Sequence, residues 1–424
     1  MKSNNYIHVH KIIILAVDVV ICSLLCFTPE QYSQGLCVSG SVFLLLISIL
    51  AVFRARNNWC LLSIFLCLLI SNYSIVQYYY FTDNTQFFFA KYAHTGASVT
   101  ALLTLILFNS LLYVLLPTHI KTDSRKQSFI QQEKYSLIIS VGFILVLLLI
   151  LVFAYTRPQV EGERGEPSPL YEYSIILFII GFYYCGNKKI IRSTLIIELI
   201  LFAFQNMRYG GRITALQLLI VLLLTNFAWI KKGFVYLAGI VLTPVMVGIG
   251  NLRGNFELTI STIISSLSSM WNNKFTLDTA YSAYHTSITF ILVKDNLTFP
   301  EIMKMFSDFI LSMLLGGSII PSGNLANYTH EYYLHYYGGL LPVYIYFYTG
   351  ATGVVIIACL VAFYLYKVLS SKQNEFFTCL GIYISATAFR WYLYSPSNLL
   401  RGVMLFAIVF GGCSLARNIF KKSI

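Results

Sequence analysis

Long apolar runs, separated by short polar stretches, fill most of the chain. A helix that crosses a lipid bilayer needs about 20 mostly apolar residues. We predict twelve spans on this basis, at residues 12–27, 36–53, 59–80, 96–116, 135–155, 173–186, 191–206, 213–229, 234–250, 340–366, 376–394 and 399–416. The first segment contains Asp18 and no small-residue cleavage site follows it, which predicts a retained span rather than a removed signal peptide.

Composition leads to the same class of protein. Of the 424 residues, 57% are hydrophobic and only 11% are charged, a balance that excludes a water-soluble domain of this size. The predicted fold is therefore all-α, a polytopic membrane protein with about twelve transmembrane helices. We expect residues 1–424 to form one integral membrane domain.

Lys and Arg residues are concentrated in every second connection between the predicted spans. If the N-terminus is cytoplasmic, 18 of the 29 Lys and Arg residues fall on the cytoplasmic side, where three acidic residues oppose them. Such an excess is the positive-inside bias of membrane proteins. It accounts for the net charge of +12 without nucleic acid as a partner, and it predicts that both termini are cytoplasmic.

Two connections on the opposite side are longer than the rest. One is an acidic, Pro-containing loop at 156–172, and the other is the region 251–339 between spans nine and ten. The segments 258–270, 279–293 and 300–315 mix apolar, Ser/Thr and aromatic residues, which favours helices at the membrane surface over further spans. Tyrosines near the outer ends of spans are typical of an interfacial aromatic belt, at residues 78–80, 171, 173 and 332–337.

Arginine outnumbers lysine among the basic residues of the predicted outer side. Its planar guanidinium binds phosphate through two parallel hydrogen bonds. Arg208 and Arg212 flank a Tyr-Gly-Gly turn between spans seven and eight. Arg212 precedes a helix, whose free N–H groups favour an anion. Arg253 opens the large outer region and Arg390 lies inside span eleven, so we predict that these four bind phosphate.

The same arginines also have a purely structural interpretation. A long basic side chain near a span end can extend to the lipid headgroups. Within the membrane, Arg390 can instead pair with Glu198 or Asp18, the two acidic residues predicted inside spans.

Two histidines stand in the segment that closes the large outer region. A helix through this segment places Glu331 and His335 on one face, and turns His335 away from His330. Imidazole accepts a proton near neutral pH, so we predict His330 as a general base with Glu331 as its orienting carboxylate. The alternative is a pair of interfacial histidines without chemistry.

Other kinds of site find little support in the sequence. None of the nine cysteines forms a CxxC, which leaves no disulfide framework or zinc motif. The chain also lacks Asp-x-Asp, HExxH, a Walker A loop and GxSxG. We therefore expect no metal and no cofactor.

Architecture and motifs together resemble the Wzy-type O-antigen polymerases and, more distantly, the O-antigen ligases. These bacterial inner-membrane families typically have ten to fourteen spans and a large periplasmic loop late in the chain. The matching motifs are Arg208-Tyr-Gly-Gly-Arg212 leading into a span, Arg253 at the start of the loop, and His330-Glu331-Tyr-Tyr-Leu followed by Tyr337-Gly338-Gly339.

The resemblance implies a metal-independent glycosyltransferase of the C type. Its donor and acceptor would be oligosaccharides linked to undecaprenyl pyrophosphate, and a chain-length regulator is a possible partner. Arg208, Arg212, Arg253 and Arg390 would then stabilise the leaving pyrophosphate while His330 takes the acceptor's proton. Glu331 or another nearby carboxylate would orient His330 or hold the acceptor sugar. The tyrosines of residues 328–337 offer flat faces on which sugar rings can rest.

Two related functions remain open at this point. A Wzx-type flippase has about twelve spans and the same lipid-linked substrate, but it has little use for an outer region as large as 251–339. An O-antigen ligase shares nearly every motif and differs in its acceptor. Secondary transport is disfavoured because no inverted repeat is evident in the sequence.

Overall fold

The computed structural model describes residues 2–27, 31–80, 92, 94–116, 136–156, 166–186, 188–208, 211–227, 278–317, 319–335, 338–370 and 374–422, with isolated residues between 233 and 268. The described chain is almost entirely α-helical. Its helices are α1 (Lys2–Phe27), α2 (Gln34–Ala55), α3 (Trp59–Tyr80), α4 (Gly96–Leu115), α5 (Leu137–Phe153), α6 (Pro169–Tyr184), α7 (Lys189–Arg208), α8 (Ile213–Asn226), α9 (Asp278–Lys294), α10 (Phe299–Leu315), α11 (Leu325–His330), α12 (Leu341–Ser370), α13 (Glu375–Ala386), α14 (Ala388–Leu393) and α15 (Ser397–Lys422).

These helices agree with the apolar segments of the sequence. Eleven of the twelve predicted segments coincide with helices, and the ninth, 234–250, lies outside the described residues. In the described part of the chain, six helices are long and apolar enough to cross a membrane. They are α2, α3, α4, α7 and most of α12 and α15; α5, α6, α8 and α13 are shorter apolar helices. An all-α membrane protein is therefore confirmed, and the count of twelve spans stays a prediction.

Contacts between helix ends define two opposite ends of the bundle. At one, the Lys11 ammonium donates to the Val114 carbonyl at 2.7 Å, and Arg54 donates to the carbonyls of Tyr113 and Leu116. Arg192 donates in the same way to the Gly186 carbonyl at 3.1 Å, where α6 ends. We call this the basic end. Because lysine and arginine satisfy the free carbonyls of helix C-termini, the charges also complete the helices they contact.

Helix α9 contradicts the expectation of a surface helix at 279–293. Nearly all of its side chains are buried, including His285, Tyr284 and Phe290, and it packs between α3, α4 and α12. Small and hydroxylated residues explain how α9 fits between its neighbours, because the hydroxyls of Thr286 and Ser287 donate hydrogen bonds to backbone carbonyls of α9 itself. The polar residues of this segment predicted a helix at the membrane surface, but their small side chains allow the helix to pack inside the bundle.

Helix α10 fits the expectation better, since only one of its faces is buried. Ile302, Met305 and Phe309 face the bundle, while Leu311 and Leu314 are exposed. A Thr298–Glu301 capping box fixes its first turn.

The predicted eleventh span is not one continuous helix. It breaks at Thr387, whose side chain bonds back to the Tyr383 carbonyl at 2.8 Å, and continues as the short α14. The break turns Tyr392 into the bundle, where its hydroxyl meets Asn72 and Asn109. Asn72 also donates to Ser48 at 2.8 Å, so one buried polar network joins α2, α3, α4 and α14.

A two-residue β-ladder closes the connection between α5 and α6. Tyr155–Thr156 pairs antiparallel with Glu166–Pro167, and this places the start of α6 beside the end of α5.

Candidate functional site

Helix α11 places His330, and the elements before it hold α11 in position. A short 3₁₀ turn, Pro321–Gly323, packs against α10 so closely that a side chain at Gly323 would meet the Asp308 carbonyl oxygen at 2.5 Å. The Asn324 side chain then accepts from the Ala326 N–H at 3.1 Å and caps α11. Three residues of this helix are buried, at Leu325, Ala326 and Thr329. The six-residue helix is therefore anchored on one side only.

His330 ends α11, and the geometry after it differs from the sequence prediction. The chain leaves the helix at Glu331, so the expected helical face shared by Glu331 and His335 does not exist. His335 does not point away from His330. Their rings meet edge to face with centroids 5.1 Å apart. Glu331 is exposed, while His330 is half-buried.

His335 is the more deeply held of the two histidines. It is only 2% exposed, and its Nε2 lies 2.9 Å from the Thr329 hydroxyl. Burial lowers the pKa of His335 to about 4, with smaller contributions from His330 and His285. At neutral pH a neutral imidazole therefore lies directly behind His330.

A third histidine, His285 of α9, was missed by the sequence reasoning. Its ring stacks on Tyr92 at 5.2 Å, and its Nδ1 lies 3.4 Å from the Tyr78 hydroxyl. Tyr92 in turn meets Tyr333 edge to face at 5.4 Å. A histidine inside a helix of Ser, Thr and Tyr carries no local signal. Only the packing of α9 against α3 brings it near His335.

The aromatic belt prediction is wrong for Tyr78 and Tyr79 at the end of α3, whereas Tyr80 is exposed. Tyr78 and Tyr79 are buried, and the Tyr79 hydroxyl lies 2.5 Å from that of Tyr284. Tyr171 is buried as well and donates to the Phe202 carbonyl at 2.9 Å. These tyrosines belong to the core because each buried hydroxyl has a partner.

Two glycines connect the histidines to α14. Gly338 and Gly339 both have positive φ, at 88° and 143°. The Gly339 N–H donates to the Leu393 carbonyl at 2.9 Å, and a side chain there would overlap Phe290. The next N–H, of Leu340, donates to the Ser287 hydroxyl at 2.8 Å. Glycine is required here by both conformation and space.

Arg390 of α14 is half-buried and already paired. One guanidinium nitrogen, Nη2, lies 2.7 Å from a Glu172 carboxylate oxygen and donates to the Thr214 hydroxyl at 2.9 Å. Glu172 belongs to the first turn of α6, and Thr214 to the first turn of α8. The alternative in which Arg390 pairs with Glu198 or Asp18 is therefore wrong.

The two acidic residues predicted inside spans have other surroundings. Asp18 accepts a hydrogen bond from the Ser110 hydroxyl, and Glu198 is buried in α7. Neither is the partner of Arg390.

Arg208 and Arg212 flank the turn between α7 and α8 as predicted. Arg208 is the exposed last residue of α7, and Arg212 is the half-buried N-cap of α8. The Gly211 N–H donates to the Asn206 carbonyl at 2.8 Å, and a side chain at Gly211 would overlap the Asn206 amide. Only glycine therefore fits at position 211 of this turn.

Arg253 lies outside the described residues, so its place in the site stays a prediction. The others share one end of the bundle, opposite the basic end. Arg390 meets the start of α8 next to Arg212, and α14 meets the Gly338–Gly339 segment that follows the histidines. We call this the site end.

Arg401 of α15 adds a further cation to the site end. Its guanidinium lies over the Tyr173 ring at 5.9 Å and borders Gly316, where α10 ends. Arg390 of α14 thus contacts α6 and α8, and the Gly338–Gly339 segment that follows the histidines contacts the end of the same helix.

Guanidinium groups suit phosphate and imidazole suits proton transfer, and both kinds of side chain lie at this end of the bundle. Within the described residues, no three His, Cys, Asp or Glu side chains are grouped so as to hold a metal ion. Comparisons of the chain with protein-family models, with curated proteins and with solved structures find no match.

Proposed function

We propose that this protein is a metal-independent glycosyltransferase. It polymerises undecaprenyl-pyrophosphate-linked oligosaccharide repeat units into O-antigen or a related surface polysaccharide, on the periplasmic face of the bacterial inner membrane. The main support is one arrangement: His330 backed by a buried neutral imidazole, at the bundle end where Arg212 caps α8 and Arg390 contacts its first turn.

In the proposed reaction His330 takes the proton of an acceptor hydroxyl. The hydroxyl oxygen attacks the anomeric carbon of the donor sugar and forms the new glycosidic bond. The bond from that carbon to the pyrophosphate oxygen breaks, and its electron pair leaves with undecaprenyl pyrophosphate. Fixed cations stabilise this leaving charge without reorganising during the reaction.

The residues have distinct roles in this proposal. Arg208, Arg212 and Arg253 bind the pyrophosphate, with Arg212 assisted by the free N–H groups of the α8 N-terminus. Arg390 is a positioning residue, because its Nη2 is engaged with Glu172 and Thr214. Glu331 is exposed beside His330 and serves the acceptor rather than the imidazole ring.

Three candidate functions are separated by what accumulates when the gene is deleted. Loss of the polymerase leaves single repeat units on the surface glycolipid, so a polysaccharide gel shows one band in place of a ladder. Loss of a flippase leaves lipid-linked repeat units on the cytoplasmic face. Loss of a ligase leaves full-length polymer on its lipid carrier. We expect the single band, and either other result would contradict the proposal.

A further inference from the structure

Two tyrosines, one half-buried and one exposed, form a pair beside His330. Tyr328 lies on α11 and Tyr332 in the turn after it, with ring centroids 5.3 Å apart and planes tilted by 52°. Tyr332 is 60% exposed. An exposed tyrosine ring next to a candidate general base offers a flat face to which a ligand can bind.

Hydrogen bonds of Thr329 hold the tyrosine pair in place. Thr329, the residue between Tyr328 and His330, is fully buried and hydrogen-bonded to His335. The Tyr332 N–H donates to the Thr329 carbonyl at 3.1 Å, which fixes the backbone beneath its ring. Both rings therefore keep their position relative to His330 while their faces stay open.

The polar groups around the two tyrosines are hydrogen-bond acceptors and uncharged hydrogen-bond donors. The Tyr332 hydroxyl donates to the Tyr328 hydroxyl at 3.4 Å. The neighbouring Tyr332 hydroxyl, followed by burial and the Glu301 and Glu331 carboxylates, raises the pKa of Tyr328 to about 12, so its hydroxyl stays protonated. Glu331 is exposed, and so is Asn327 on α11.

This chemistry fits a saccharide better than a bilayer. Sugar rings present C–H faces to aromatic rings, and their hydroxyls donate to carboxylates and amides. Glu331 beside the ring pair disfavours contact with anionic headgroups. The apolar side chains that suit lipid lie instead on α10, where Leu311, Leu314 and Leu315 are exposed.

We infer that Tyr328, Tyr332, Glu331 and Asn327 form the subsite for the acceptor saccharide. This inference rests on the proposed function, and it assigns specificity for the sugar next to the new bond to this surface. Tyr332 supplies the platform, and Glu331 accepts from sugar hydroxyls.

The test uses the full protein in nanodiscs and the repeat-unit oligosaccharide released from its lipid carrier by mild acid. Saturation-transfer NMR reports binding of this oligosaccharide, and a polymerisation assay gives KM and kcat for the lipid-linked acceptor. We expect Tyr332→Ala and Tyr332→Leu to raise the acceptor KM about three- to tenfold with kcat nearly unchanged, and to weaken the NMR signal. Tyr366→Ala, an exposed tyrosine of α12 near the basic end, is the matched control.

The outcomes separate the two claims. Polymer formation with unaltered acceptor KM in both Tyr332 variants would overturn the subsite while leaving the proposed function intact. No polymer from wild-type protein, combined with NMR binding that depends on Tyr332, would overturn the function and retain the saccharide subsite. Absence of NMR binding to wild-type protein overturns the subsite. So does quenching of the added fluorescence of Tyr332→Trp by brominated phosphatidylcholine, which would place the ring in the bilayer.

Discussion

Arg390 and Glu172 form an ion pair whose side chains are 17% and 32% exposed. Removing the carboxylate leaves the guanidinium partly buried without its countercharge, and a half-screened pair of this kind costs roughly 1–3 kcal/mol to break. We expect Glu172→Gln to lower the thermal unfolding midpoint of the protein in nanodiscs.

The charge-reversed pair, Glu172→Arg with Arg390→Glu, tests the positioning role of Arg390. We expect it to recover the unfolding midpoint and most of the polymer. Recovery of the midpoint with complete loss of polymer would show that Arg390 itself binds the pyrophosphate.

His335 makes stability depend on pH in the acid range. The pKa of His335 in the folded protein is about 4, below the ordinary histidine value of about 6.5. Between these two pH values the imidazole is protonated in the unfolded chain and neutral in the folded protein. The contribution of neutral His335 to the free energy of unfolding is fully present above pH 6.5 and is lost as the pH falls toward 4. The loss amounts to at most about 3 kcal/mol.

His335→Gln removes this titration and keeps a polar group beside Thr329. We expect its unfolding midpoint to fall less than that of wild type between pH 7 and pH 4.5. Parallel curves for the two proteins would contradict a buried neutral His335.

At the scale of single elements, the polar network around Tyr392 joins four helices. Asn72 and Asn109 both exchange hydrogen bonds with its hydroxyl inside the bundle. Polar bonds between membrane helices are worth about 0.5–2 kcal/mol each. Tyr392→Phe should therefore lower the unfolding midpoint.

Tyr364 of α12 provides the matched control for this substitution. Its hydroxyl is buried, and among the described residues it has no hydrogen-bond partner. We expect Tyr364→Phe to leave stability unchanged or to raise it. Equal losses in the two variants would mean that ring packing, and not the network, accounts for the effect.

Helix positions follow from the sequence where apolar runs are long. All of the predicted segments within the described residues are helical, because length and hydrophobicity alone determine such elements. The burial of α9 does not follow, since Ser, Thr and Tyr are equally suited to a wet surface and to close packing between helices. The break at Thr387 is likewise invisible, because neither glycine nor proline marks it.

The candidate site was predictable only in part, and for a physical reason. The Arg208–Arg212 turn and His330 carry local signals, a glycine pair before a helix and a His-Glu step. The Arg390–Glu172 pair and the position of His285 near His335 depend on distant segments meeting, whereas the contact of His335 with His330 arises because α11 ends at His330. Pairwise contacts of this kind have no signature in a single sequence.

At the scale of the whole molecule, the opposite ends of the bundle differ in chemistry. Lys11, Arg54 and Arg192 cluster with helix ends at the basic end, whereas histidines, tyrosines and paired arginines occupy the site end. The positive-inside bias then predicts that the basic end is cytoplasmic. Reporter fusions after Lys232, after Lys372 and at the C-terminus should report cytoplasm, and one at Asn296 should report periplasm. Reversal at any of these points would invert the proposed orientation and remove the site from the periplasm.

Reconstitution of the purified protein separates glycosyltransferase activity from every other cellular component. Purified protein in proteoliposomes receives one substrate, the undecaprenyl-pyrophosphate-linked repeat unit, in the presence of EDTA, and the products are followed by mass spectrometry. If the protein is the polymerase, we expect oligomers of the repeat unit, with one undecaprenyl pyrophosphate released for each new glycosidic bond. His330→Ala should slow this reaction about 10²- to 10⁴-fold while the protein stays folded. Full activity of His330→Ala, or polymerisation that stops when EDTA is added, would contradict the proposed mechanism.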